Sequence, residues 1–345
     1  MFHGGSGADS VTGALVRGAT ALAVALALAP LVLVLLRRAN LLDHPSERSS
    51  HAAPVLRGGG LAPALGALVA LALTPAVPGT QRWAVAVTAA AFGLVGLVED
   101  VVGVVALRRL AVQFAAAVLS VPFLLDGLSG PVLWRAAFTA GVVFWLVAFA
   151  NAYNFMDGID GISVAQAAGA GLTWMLVGVA QDVPMLAAGG AIAAGATLGF
   201  APFNLPRARM FLGDVGSYFL GAWLAALAVL GVRAGLPPEA ILAPLALYVA
   251  DTGSTLARRV LRGETWHEPH RDHAYQRLCR SGWTHVQASA LVAAGIALSG
   301  ALGAVSLGDS VPARLAADVA LAGVIGAYLL APRWLAGRTS AMAVA

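Results

Sequence analysis

Lysine is missing from this chain altogether: all 21 basic residues are arginine. That bias belongs to genome composition more than to mechanism. Cysteine is nearly missing too. The single Cys279 excludes an intramolecular disulfide, and its Arg-rich surroundings suit a reduced cytoplasmic thiol. The third scarcity matters most. Only 11% of the 345 residues are charged, against about 25% in a soluble domain. With 59% hydrophobic residues and a mean hydropathy of +0.81, this excludes an ordinary soluble domain and points to an integral membrane protein. No internal repeat, low-complexity tract or separate soluble domain interrupts the pattern, so the whole chain, 1–345, reads as one polytopic membrane domain.

Eleven apolar segments approach the ~20 residues that a bilayer span needs. They fall near 15–36, 59–77, 82–98, 109–126, 133–150, 163–180, 184–202, 217–232, 238–256, 285–305 and 313–331. The expected fold is therefore an all-α bundle of about eleven transmembrane helices. Arg37 and Arg38 directly follow the first segment, which suits a retained anchor rather than a cleaved signal peptide. With the N-terminus outside, the inside segments hold 16 arginines and the outside segments five. The positive-inside rule then favours an outer N-terminus and a cytoplasmic C-terminus. The same rule accounts for the net charge of +4 and the pI near 9.8 without nucleic acid.

The inside loops near 37–58, 99–108, 151–162, 203–216 and 257–284 are unusually polar. "LLDHPSERSSHAAPVLRGGGLA" (41–62) sets three glycines beside Arg57, where backbone N–H groups can approach an anion. An ordinary charged loop before a helix explains it equally well. "VEDVVGVVALRR" (98–109) ends an apolar helix on Glu99 and Asp100. Two acids there oppose the helix dipole, which favours a cation-linked or catalytic role. Arg108 and Arg109 are candidates to pair with them or to hold phosphate. In "NAYNFMDGIDGIS" (151–163), Asn154, Asp157 and Asp160 recur at three-residue spacing, which shares a face on a helix. Repulsion between the two acids needs a metal or an arginine to offset it.

"PFNLPRARMFLGDVGSYFLG" (202–221) holds Asn204, Phe211 and Asp214, the last between two glycines just before a helix. The final loop, 257–283, spaces His267, His270 and His273 three apart among arginines that include Arg271. Spaced histidines can bind zinc, but here the arginines and lack of thiolates favour an anion site. Together the acids suit a hard cation such as Mg²⁺, and the arginines and histidines suit phosphate oxygens. The set reads as magnesium-assisted chemistry on a diphosphate at one membrane face.

With "RSSHAAPVLRGGGLA", the acidic pair at 99–100, "NAYNFMDGIDGIS", "FLGDVGSYFLG" and "HRDHAYQRL" in this order, the chain resembles the bacterial polyprenyl-phosphate N-acetylhexosamine-1-phosphate transferases, glycosyltransferase family 4. The final motif looks most like the branch that starts O-antigen or related surface glycans. The resemblance implies transfer of a sugar-1-phosphate from a UDP-N-acetylhexosamine to undecaprenyl phosphate, with release of UMP. It implies a multi-pass protein of the bacterial inner membrane with its active site in the cytoplasm, and it leaves room for a homodimer.

By the same resemblance Asp214 is the Mg²⁺ ligand, with Mn²⁺ as the alternative metal. Phe211 stacks on uracil, and Asn204 and Asp160 contact the nucleoside, with Gly158 and Ile159 lining its pocket. Asn154 and Asp157 lie beside the diphosphate. Asp100, with Glu99, acts at the lipid phosphate, while His270, Arg271 and His273 hold the diphosphate or the sugar. Members of the family usually carry Asp-Asp where this chain has Glu99-Asp100. Two other readings stand beside this one. A muropeptide-type phosphotransferase shares the chemistry, although its final loop carries consecutive histidines. A secondary transporter is a different class, but it would place its acids at the bilayer midplane and within repeats. Of the acids here, Asp251 and Asp318 alone fall inside the apolar segments away from their ends.

Overall fold

The computed structural model describes residues 7–43, 54–75, 77–265 and 271–342. It is a bundle of helices: α1 (Gly7–Arg38), α2 (Leu61–Ala72), α3 (Gly79–Val102), α4 (Ala106–Leu124), α5 (Val132–Met156), α6 (Ile162–Ala180), α7 (Pro184–Asn204), α8 (Gly213–Arg233), α9 (Pro238–Leu242), α10 (Ala246–Leu261), α11 (Ala274–Arg280), α12 (His285–Ala304) and α13 (Val311–Met342). Among the described residues, ten helical segments are long and apolar enough to cross a membrane. The chain is a multi-pass, all-α membrane protein.

The expected span at 59–77 is shorter than read. Its helix α2 has 12 residues, about 18 Å of rise against a hydrocarbon core of about 30 Å. Pro75 and Pro78 lie just beyond its end, and a ring without an N–H cannot extend the ladder. The end of the following helix nevertheless lies beside the start of α2, since Gly60 and Gly96 both abut the first turn of α8. The span near 238–256 is composite. Pro244 sits in a 3₁₀ turn, Ala243–Leu245, that joins α9 to α10.

α8 is the axis of the bundle, with 94% of its most apolar window buried. Small residues allow its neighbours to approach at backbone distance, the usual device where lipid provides no hydrophobic drive between helices. A Cβ placed on Gly96 of α3 would lie 2.1 Å from the Asp214 carbonyl oxygen. One placed on Gly60 would lie 2.2 Å from Gly216 Cα. These contacts bring the C-terminal end of α3 and the N-terminal end of α2 against the first turn of α8.

A feature absent from the helical expectation completes this end. Strands β1 (Leu42–Asp43), β2 (Val55–Arg57) and β3 (Met210–Phe211) form a small sheet in that order. β1 and β2 are antiparallel, β2 and β3 parallel, with Arg57 opposite Phe211. The ladder continues through Gly59 N–H to the Phe211 carbonyl (2.8 Å) and Gly60 N–H to the Leu212 carbonyl (2.7 Å). The sheet thus binds the segment carrying Arg57 to the entrance of α8.

Candidate active site

Four sequence-distant segments meet at the first turn of α8. The backbone N–H groups of Asp214 and Val215 donate to the two oxygens of Asp100, each at 2.9 Å. Asp100 therefore caps α8 from another helix, where an anion satisfies orphan donors and the positive end of the dipole. Gly213 makes the approach possible. It adopts φ +74°, and a Cβ there would sit 2.7 Å from Asp100 Oδ2.

Arg57 bridges this acid to the next one. Its Nε lies 2.6 Å from Asp100 Oδ1, and its Nη2 lies 2.7 Å from Asp214 Oδ2. Burial would lower the guanidinium's pKa, but Asp214, Asp100 and Asp43 more than offset that and hold it above its ordinary value. Asn154 of α5 donates to the other Asp214 oxygen at 2.7 Å and to Ser217 Oγ at 2.8 Å. Asp100, Arg57, Asp214 and Asn154 thus form one continuous charged network, as a site for anions and cations requires.

Asp157 caps the C-terminal end of α5, half-buried and within electrostatic reach of Asp214, Asp100 and Arg57. Ser163 Oγ donates to its Oδ1 at 2.6 Å. Desolvation pushes its pKa up to about 8; the Ser163 hydrogen bond opposes the shift, and the charges of Asp214 and Asp100 add to it. A half-buried carboxyl poised near neutrality beside an ion cluster fits proton transfer.

The remaining expected residues divide. Asp100 is read from sequence as acting on the lipid phosphate, but its side chain is 1% exposed and both oxygens are engaged. Its place is to position Arg57 and α8. Glu99 turns away, accepting from Val104 N–H at 2.9 Å and pairing with Arg109 at 3.1 Å. Asn204 is buried and clamps two loops, accepting from Gly161 N–H at 2.8 Å. Asp160 accepts from Ala208 N–H and pairs with His285, at 3.2 and 3.3 Å. Gly158 abuts the Tyr275 hydroxyl, Ile159 is buried in the core, and Phe211 is half-buried on β3.

His273 also departs from the phosphate-binding expectation. It is buried, with Nδ1 3.2 Å from Asp251 Oδ1, so its ring offers almost no surface to a ligand. Arg271 is half-buried beside it in sequence, while His270 lies outside the described residues. Sequence reasoning missed Ser163, Ser217 and His285. Ser217 alone left a signal, three residues after Asp214 on one helical face.

A polytopic membrane protein with a carboxylate–arginine cluster at one end of its bundle is the class that this geometry defines. The chain belongs to glycosyl transferase family 4, whose model matches residues 82–232. Among similar proteins is the decaprenyl-phosphate N-acetylglucosaminephosphotransferase of Mycobacterium leprae strain TN. It is 32% identical over 302 residues, covering 74% of each chain. A Bacillus subtilis strain 168 protein named "Probable undecaprenyl-phosphate N-acetylglucosaminyl 1-phosphate transferase" is 28% identical over 279 residues, 75% of each chain. The phospho-N-acetylmuramoyl-pentapeptide-transferase of Streptococcus uberis is 32% identical over 185 residues, 48% of this chain and 53% of its own.

Proposed function

We propose that the protein transfers N-acetylhexosamine-1-phosphate from a UDP-sugar to undecaprenyl phosphate and releases UMP, as the first step of an O-antigen or related surface glycan. The names of the relatives support a polyprenyl-phosphate acceptor and make UDP-N-acetylglucosamine the first donor to test. The single observation that carries the reading is the Arg57 guanidinium held between Asp100 and Asp214, with Asp157 within electrostatic reach. The 16:5 arginine distribution supports a cytoplasmic site in a bacterial plasma membrane.

Asp214, Asn154 and Asp157 offer hard oxygen donors, which suits Mg²⁺ or Mn²⁺. No group of three His, Cys, Asp or Glu side chains placed to hold a metal occurs among the described residues, and Mg²⁺ characteristically uses one or two carboxylates plus substrate phosphates. When bound, such a cation would supply positive charge to the donor diphosphate. Arg57 exchanges a carboxylate for a phosphate oxygen, which its fork geometry matches. The ionised form of Asp157 takes the remaining proton from the lipid phosphate. A lipid phosphate oxygen then bonds to the sugar-linked phosphorus. The P–O bond to UMP breaks, and UMP leaves with the electron pair. No covalent enzyme intermediate forms.

The test is purified protein with undecaprenyl phosphate and a panel of UDP-sugars, read as UMP release and lipid-linked sugar, with and without EDTA. Asp214→Ala is expected to abolish turnover beyond rescue by substrate, because charge stabilisation acts mainly in the transition state. A folded Asp214→Ala variant with near-normal kcat would overturn that assignment. Turnover of only the UDP-muramoyl-pentapeptide donor would overturn the glycan-initiating role.

A further inference from the structure

Away from the acidic cluster, α10, α11 and α13 meet around one buried acid. Asp251 has no exposed surface. It accepts from Ala274 N–H at 2.9 Å and from the Tyr328 hydroxyl at 2.7 Å, and Nδ1 of His273 lies 3.2 Å away. Each helix leaves this knot with an arginine close by: Arg258 two turns on along α10, Arg277 one turn into α11, and Arg333 five residues past Tyr328 on α13. Arg280 follows Arg277 at three-residue spacing, on the same face of α11.

The four guanidinium groups form a surface of one sign. None of them makes an ion pair among the described residues; the ion-paired arginines there are Arg57, Arg109, Arg259, Arg262 and Arg314. Burial, then the charges of Arg258, Arg333 and Arg280, hold Arg277 below its ordinary pKa, with Asp251 working in the opposite direction. The one acid among them, Asp251, is fully buried and already accepts from Ala274 and Tyr328, so four cations against one carboxylate stay unfavourable unless an anion joins them. The apolar surroundings say where that anion comes from. Leu261 is 86% exposed, Val260 59% and Trp334 60%, as befits the level where helix ends leave hydrocarbon and an indole sits among headgroups.

We infer that Arg258, Arg277, Arg280 and Arg333 form a binding site for the phosphate of an anionic phospholipid, at the site-side membrane surface between α10, α11 and α13. A basic pocket between transmembrane helices recognises such headgroups. The site is separate from the Arg57 cluster, and its occupant is a resident lipid rather than the acceptor. The lipid neutralises the arginines that flank Asp251 and so steadies α11 and the segment leading into it.

The experiment uses the full-length protein in neutral detergent, delipidated and then titrated with phosphatidylglycerol, cardiolipin or phosphatidylcholine. Retained lipid is read by native mass spectrometry and stability by melting. The anionic lipids are expected to bind and raise the melting temperature, with phosphatidylcholine inert. Arg280→Gln/Arg333→Gln removes two exposed charges with little packing. At about fivefold per arginine near a membrane surface, it is expected to weaken anionic-lipid binding roughly 25-fold. Arg280→Gln alone, expected to lose about fivefold, keeps the test open if the double variant misfolds. Equal lipid retention by wild type and variants would overturn the site. An equal melting shift with inorganic phosphate alone would overturn its assignment to lipid.

Discussion

Arg57 joins two acids that the chain places far apart, and a double-mutant cycle measures that junction. Arg57→Met removes the guanidinium while keeping much of its stem. Asp100 then stays 1% exposed and Asp214 14% exposed without their cation. Breaking a buried pair from one side costs about 3–5 kcal/mol. Arg57 is itself 34% exposed, and Asp100 keeps two backbone donors, so about 2–3 kcal/mol is the better figure. Asp100→Asn alone leaves Arg57 paired with Asp214 but weakens the α8 cap, at about 1–2 kcal/mol. In the double variant the buried charge and its missing partner vanish together. Its destabilisation should fall short of the sum of the singles by about 1–2 kcal/mol. Unfolding of the detergent-solubilised protein in EDTA, followed by a spectroscopic probe, supplies all four corners of the cycle. Strict additivity would refute the bridge. Arg57→Lys adds a check, since a point charge cannot reach both carboxylates with a planar fork, and it should recover only part of the loss.

The burial and neighbouring acids that raise Asp157 to about 8 favour its neutral form in the folded state. The stability contributed by Asp157 should therefore fall as pH rises from about 4 through 8, and Asp157→Asn should lack that part of the slope. The variant's advantage in EDTA should grow across that window and level off above it; parallel melting curves from pH 5 to 9 would refute the shift. Phe211→Ala should raise KM for the UDP-sugar roughly 5- to 150-fold with kcat much less changed, the signature of losing about 1–3 kcal/mol of base stacking. A normal KM with a lowered melting temperature would make Phe211 a packing residue. Asp251→Ala strands several buried donors and should cost about 3–5 kcal/mol, with Asp251→Asn milder; equal melting of the Ala variant and wild type would contradict the knot.

The spans were readable because a bilayer imposes a length on every crossing, and that constraint is written locally. α2 escaped because apolar composition continues past Ala72 while the prolines at 75 and 78 forbid the helix from doing so. Strands of two or three residues such as β3 carry no period at all. The site was legible as a set of residues but not as a set of partners. Asp214 and Asp157 advertised themselves as acids in a greasy chain. That Asp100 would serve as the cap of α8, 114 residues later, has no local trace. Asp251 shows the same limit: its arginine neighbours are near in sequence, yet its partners are His273 and Tyr328.

The parallel pairing of β2 with β3 also bears on how the protein is made. Arg57 and Asp100 leave the ribosome long before the strand and helix that complete their site. Through the synthesis of α4 to α7, the end of α3 carries an acid whose two backbone donors do not yet exist. Only when residues 210–215 emerge can β3 align against β2 and the first turn of α8 slide beneath Asp100. The central helix of the finished bundle thus follows its partners α2, α3 and α5 in the order of synthesis, and the glycines at those contacts leave it room to pack among them. A nascent chain halted before α8 carries most of the membrane domain and none of the assembled site.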